Sequence, residues 1–143
     1  MWKAMLLLLS VPLALAAPAA SGLDVVTTTT DLGSLVRAVG GDAVDVTVLI
    51  KGPQDPHFVE PRPSFIRKLH DADLFVLVGM DLEIGWAPVL LRSARNPDIQ
   101  RGGRGYLDAS AGMLALEVPT AGADRSMGDL HVLGNPHYLS DPI

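Results

Sequence analysis

Cysteine is absent from the 143 residues. That excludes a disulfide framework, a thiolate metal site and, within this stretch, a cysteine that could carry a lipid anchor. Basic charge is also scarce. Eleven Lys and Arg stand against 16 Asp and Glu, for a net charge of −5. With no basic stripe along the chain, nucleic acid is an unfavoured partner. Long apolar runs are missing everywhere except the first twenty positions, which supply part of the 48% hydrophobic content. There is no internal repeat and no low-complexity tract. What remains is a chain long enough for one domain with its own core.

The opening reads MWKAMLLLLSVPLALAAPAASG. Lys3 gives a short positive start, Ala4 to Ala17 is apolar, and Ala17, Ala19 and Ala20 offer small residues at a cleavage site. These are the parts of a secretory signal peptide over residues 1–20. The run is shorter than the ~20 apolar residues that span a bilayer, and no basic stop-transfer cluster follows it. The expectation is export to a bacterial periplasm, with folded structure starting near Ser21.

Beyond Ser21, strand and helix signals alternate. LDVVTTTT (Leu23 to Thr30) is rich in β-branched residues and predicts a strand. Asp31 can cap the next element, a short amphipathic helix with Leu32, Leu35, Val36 and Val39 at helical spacing. Gly40-Gly41 stops it. AVDVTVLI (Ala43 to Ile50) predicts a second strand, and KGPQDPHFVEPRP a loop with four prolines. Pro63 opens a second helix with Phe65, Ile66 and Leu69 on its apolar face. DLFVLVG predicts a buried strand, and EIGWAPVLLRSAR a third helix broken or begun at Pro88. GYLDAS and MLALEV are short apolar stretches that could form further strands. The alternation predicts an α/β fold with a mostly parallel sheet flanked by helices. Ligands of such sheets bind beyond the carboxyl ends of the strands, and the proline-rich loop after the second strand lies at that edge.

The chemistry rests on four histidines: His57, His70, His131 and His137. His70, beside Asp71 at the end of the second helix, reads as structural, since a histidine interacts favourably with a helix C-terminus. His57 lies between Pro56 and Glu60-Pro61, which stiffen the chain and fix the direction of the imidazole. His137, in NPHYLSDP, has a similar frame. Two imidazoles in proline-framed loops, without thiols, point to a borderline divalent cation such as zinc. His131 is open between a ligand and an outer partner, its position favouring the site entrance. Glu60 and Asp129 are further candidates for the outer shell or the entrance. Asp141-Pro142 is a helix-start signal with no helix after it, so the chain reads as cut at the start of its next element.

Three stretches carry a resemblance: VVTTTTDLGSLVRAVGGD, DPHFVEPRPSFIRKLHDADLFVLVGMDLEIGW and GDLHVLGNPHYLSDP. Together, from Leu23 to Pro142, they resemble the zinc and manganese substrate-binding proteins of ABC importers, the ZnuA/TroA-like cluster. The resemblance implies a two-lobed protein, each lobe a parallel sheet wrapped by helices, with one long helix joining the lobes and the metal between them. His57 and His137 correspond to the two ligands from the first lobe. The second lobe would supply another histidine and a carboxylate, and the long helix would begin near Asp141-Pro142. Residues 21–143 then form the N-terminal lobe alone, with an exposed apolar face where the rest would pack. The implied function is capture of Zn2+, with Mn2+ the alternative, for delivery to an ABC permease in the inner membrane.

This sequence departs from that pattern in places. Leu139-Ser140 replaces the usual aromatic-Leu pair, and the His-rich loop of many zinc members is reduced to a short acidic stretch with Glu117, Asp124 and Asp129. Two other functions compete. GDLH and GNPH superficially resemble segments of metal-dependent phosphoesterases, which hold two metals to activate water. Here they lie too close together, and Pro136 interrupts the second. The other competitor is a one-lobed metal-binding or adhesin-like module without transport, although no large aromatic patch is visible to support adhesion.

Overall fold

The computed structural model describes residues 22–119 and 131–140. The signal-peptide reading over 1–20, the acidic residues Asp124 and Asp129, and the helix-start pair Asp141-Pro142 lie outside the described residues. Four parallel strands form one sheet in the order β2-β1-β3-β4. They are β1 (Leu23–Thr27), β2 (Val44–Val48), β3 (Leu74–Leu77) and β4 (Tyr106–Asp108). Helices α1 (Thr30–Gly40), α2 (Pro63–Asp71) and α3 (Ala87–Ala94) make the crossovers. This is the α/β architecture with a parallel sheet that the alternation predicts. No helix among the described residues is long and apolar enough to cross a membrane.

The period-2 geometry of a strand sends successive side chains to opposite faces, and both faces are apolar. Val26, Phe75 and Leu77 point into a core shared with Leu69 of α2 and Leu90, Leu91 and Ala94 of α3. Val25 and Val76, together with Val78 just past β3, point the other way and pack with Leu32 and Val36 of α1. A sheet covered on both faces explains why DLFVLVG reads as an unbroken apolar run. Gly33 permits the close seating of α1, because a Cβ there would lie 2.6 Å from a methyl of Val48.

Local chemistry moves several boundaries. The first strand stops at Thr27 rather than Thr30 because Thr29 is the N-cap of α1, its hydroxyl accepting from the Leu32 N–H at 3.5 Å. Asp31 falls in the first turn, where a carboxylate favours the helix dipole. The third helix begins at Ala87, with Pro88 in its first turn. MLALEV forms no strand: Met113, Leu114, Leu116 and Val118 are exposed, Leu114 at 83%. An apolar run needs a partner to become a strand, and here the Leu116 carbonyl instead accepts from the Asn135 N–H at 2.9 Å.

β1 lies at the centre, with β2 on one side and β3 on the other, and the chain leaves it toward opposite sides. That is a topological switch point, the place where open parallel sheets bind ligands. Gly79 closes β3 there with φ +89°. A Cβ would lie 2.0 Å from Asp108 Oδ1, so only glycine fits.

Candidate metal centre

The loop after β2 carries His57 and is tied at three points. Asp55 Oδ1 accepts the His57 N–H at 2.9 Å, a side-chain turn that proline between the two residues helps to preset. The same oxygen lies 2.6 Å from His57 Nδ1. Trp86, only 2% exposed at the head of α3, donates its indole N–H to the Pro56 carbonyl at 2.8 Å. The loop is therefore bolted to the core one residue before the histidine.

The loop carrying His131 and His137 repeats the device. Asn135 Oδ1 accepts the His137 N–H at 2.9 Å, and its amide donates to Glu117 Oε2 at 2.7 Å. Pro136 is fully buried. The Gly134 N–H returns to the His131 carbonyl at 3.1 Å, and the Tyr138 hydroxyl donates to the Val78 carbonyl at 2.8 Å. DPH and NPH are thus the same local solution. An Asx side chain takes the histidine amide, and the proline limits what else the chain can do.

These loops bring three imidazoles together. One ring nitrogen from each of His57, His131 and His137 lies within 4.8 Å of the other two. The Nε2 atoms of His57 and His131 are 2.9 Å apart. Ring centroids are separated by 5.0, 6.0 and 6.3 Å. His57 and His131 are half-buried and His137 is exposed. Nitrogens bound tetrahedrally to zinc at 2.0–2.1 Å are about 3.3 Å apart, so shifts of roughly an ångström would close the cluster on an ion. Asp55 orders the donor set. As a carboxylate it can only accept, so it holds the proton on His57 Nδ1 and leaves the Nε2 lone pair facing the cluster. The hydrogen bonds from the His57 backbone and ring hold the Asp55 carboxyl below its usual range.

The structure brings His57 and His137 together. His131, placed at the entrance by position alone, stands in the cluster itself. Glu60 is exposed and is not in the group of three, and Asp129 lies outside the described residues. His70 lies 2.8 Å from the Ala94 carbonyl, at the end of α3, which agrees with its structural reading. Sequence reasoning missed Asp55, Trp86, Asn135 and Tyr138. The Asx-Pro-His spacing shared by the two loops was the available signal for Asp55 and Asn135. Nothing local marks Trp86 or Tyr138, whose bonds span 30 and 60 residues.

Three imidazoles at the carboxyl edge of a doubly wound sheet form a cluster that could hold a metal ion. Comparison with known proteins agrees. The family described as "Zinc-uptake complex component A periplasmic", ZnuA, matches residues 25–143, and the chain belongs to that family of metal substrate-binding proteins, which are not enzymes. The phosphoesterase reading is thereby set aside. The manganese ABC transporter substrate-binding lipoprotein PsaA of Streptococcus mitis is 34% identical over 85 residues, covering 56% of this chain and 28% of PsaA. The iron ABC transporter substrate-binding lipoprotein MtsA of Streptococcus pyogenes serotype M1 is 33% identical over 76 residues, covering 51% of this chain and 24% of MtsA. A zinc-bound deletion mutant of ZnuA superposes with a TM-score of 0.62 at 27% identity, over 82% of this chain and 39% of that one. The match therefore spans less than a third of these curated relatives' length.

Proposed function

We propose that residues 21–143 are the N-terminal lobe of a periplasmic binding protein that captures a divalent metal ion for an ABC permease in the inner membrane. Export would use the N-terminal signal peptide, cleaved on the way. The observation that carries this reading is the convergence of His57, His131 and His137 within 4.8 Å. Their function is capture. Neutral imidazoles donate to the ion, and acid releases it by protonating them.

The donor set favours zinc over manganese. Imidazole nitrogen suits zinc, while manganese prefers the hard oxygen of carboxylates. Among the described residues the group that could hold a metal contains no carboxylate. Relatives whose names specify manganese, iron and zinc all resemble this chain, so the preference rests on its own ligands. Three imidazoles leave at least one coordination position for water or for a donor outside this lobe.

The test is a competition titration of the purified chain against a chromophoric chelator, with zinc and manganese in parallel. Zinc should bind one ion per chain and more tightly than manganese. Replacing His57 by Ala should abolish that binding, and unchanged affinity in that variant would dismiss the site.

A further inference from the structure

His137 is the most exposed of the three imidazoles, and its own loop holds it by the backbone, through the Asn135 side chain and the Ser140 N–H. The anchor is the next residue. Tyr138 reaches back to the switch point and donates its hydroxyl to the Val78 carbonyl at 2.8 Å, across 60 positions of sequence. Its ring packs into the core between the sheet and α1.

The acceptor is itself held. Glu83 is 1% exposed, and among the described residues none of its hydrogen-bond partners is a cation. Its Oε1 accepts from the Val78 N–H at 2.8 Å and from the Thr28 hydroxyl at 2.7 Å, and its Oε2 accepts from the Gly79 N–H at 3.1 Å. One carboxyl group thus ties the end of β1 to the end of β3 and holds the peptide from which Tyr138 hangs. Burying a carboxyl group is costly, and these three hydrogen bonds offset that cost. It is not one of the three groups that converge at the candidate metal centre.

We propose that Tyr138 is the positioning residue for His137, and that Glu83 acts through it by clamping the Val78–Gly79 backbone at the switch point. This rests on the metal-centre reading of the three histidines. Neither residue touches the ion. Together they transmit the geometry of the sheet to the one exposed imidazole of the three.

The test is a double-mutant cycle in the full chain, read by zinc competition titration. Tyr138→Phe keeps the ring in the core and removes only the hydroxyl. With His137 present it should weaken zinc binding about tenfold, in the range found for loss of an outer partner. In a His137→Ala background it should change affinity by no more than about twofold. Glu83→Gln should show the same dependence on His137. If it fails to fold, Tyr138→Phe decides alone. An undiminished affinity in Tyr138→Phe overturns the proposal, and so does an equal loss in both backgrounds, which would mark a general structural role. Failure of the site itself is separate, because then His57→Ala would also leave zinc binding intact.

Discussion

Replacing His131 by Ala separates a three-imidazole centre from a two-imidazole one. In the present geometry His57 and His131 hold their Nε2 atoms 2.9 Å apart, somewhat closer than the roughly 3.3 Å of two nitrogens on a tetrahedral zinc. The pair therefore needs a few tenths of an ångström of opening to take an ion. His131 is half-buried, and its carbonyl is held by the Gly134 N–H at 3.1 Å, so the ring is partly ordered before metal arrives. A lost outer partner costs 10–100-fold in metal affinity, and a lost ligand should cost at least the upper end of that, about 100-fold or 2.7 kcal/mol. The assay is zinc competition at neutral pH, with the metal-free circular dichroism spectrum as the control for folding. If His131→Ala binds zinc within about twofold of the parent while His57→Ala does not bind, the third imidazole only lines the site and the reasoning from the 2.9 Å approach fails.

Three further outcomes are expected. Asp55→Ala should weaken zinc binding about 10–100-fold while leaving the fold intact, and nitrogen NMR of the metal-free chain should show His57 losing its preference for the Nδ1-protonated tautomer. Glu83 should make stability depend on pH in a set direction. Burial, offset only in part by the bonds from Thr28, Val78 and Gly79, holds its carboxyl above the usual range, so the folded chain keeps a proton that the unfolded chain has released. The stability this confers is lost as pH rises through the folded value, so denaturant titrations of the metal-free chain should show the parent losing ground to Glu83→Gln over that rise. Phe75→Ala, at a fully buried position between α2, α3 and the sheet, should cost about 3–5 kcal/mol in the same titration. A loss below about 1 kcal/mol would mean that the core reading of that face is wrong.

Much of the fold is legible because its signals are local. β-branched runs, helical spacing of Leu32 and Val36, and prolines at the heads of two helices mark elements without reference to anything distant. The alternation of those elements then implies a parallel sheet, since parallel strands need long crossovers. The errors arise where local signals compete or need a partner. Four threonines in a row look like strand, yet one of them caps a helix. MLALEV looks like strand, yet no strand lies alongside it among the described residues.

The candidate site divides in the same way. His57 and His137 stand out in the sequence because proline frames them, and the resemblance of their motifs to metal-binding proteins concerns those same short stretches. That His131 joins them, that Trp86 bolts the His57 loop, and that Tyr138 hangs from β3 depend on pairs separated by 74, 30 and 60 positions. The sequence by itself determined the class of fold and singled out two imidazoles as candidates, because backbone preference and side-chain spacing act within a turn or two of chain. Only the tertiary structure decided which groups meet. Hydrogen bonds form over about 3 Å, and the register of the sheet sets which distant residues come that close.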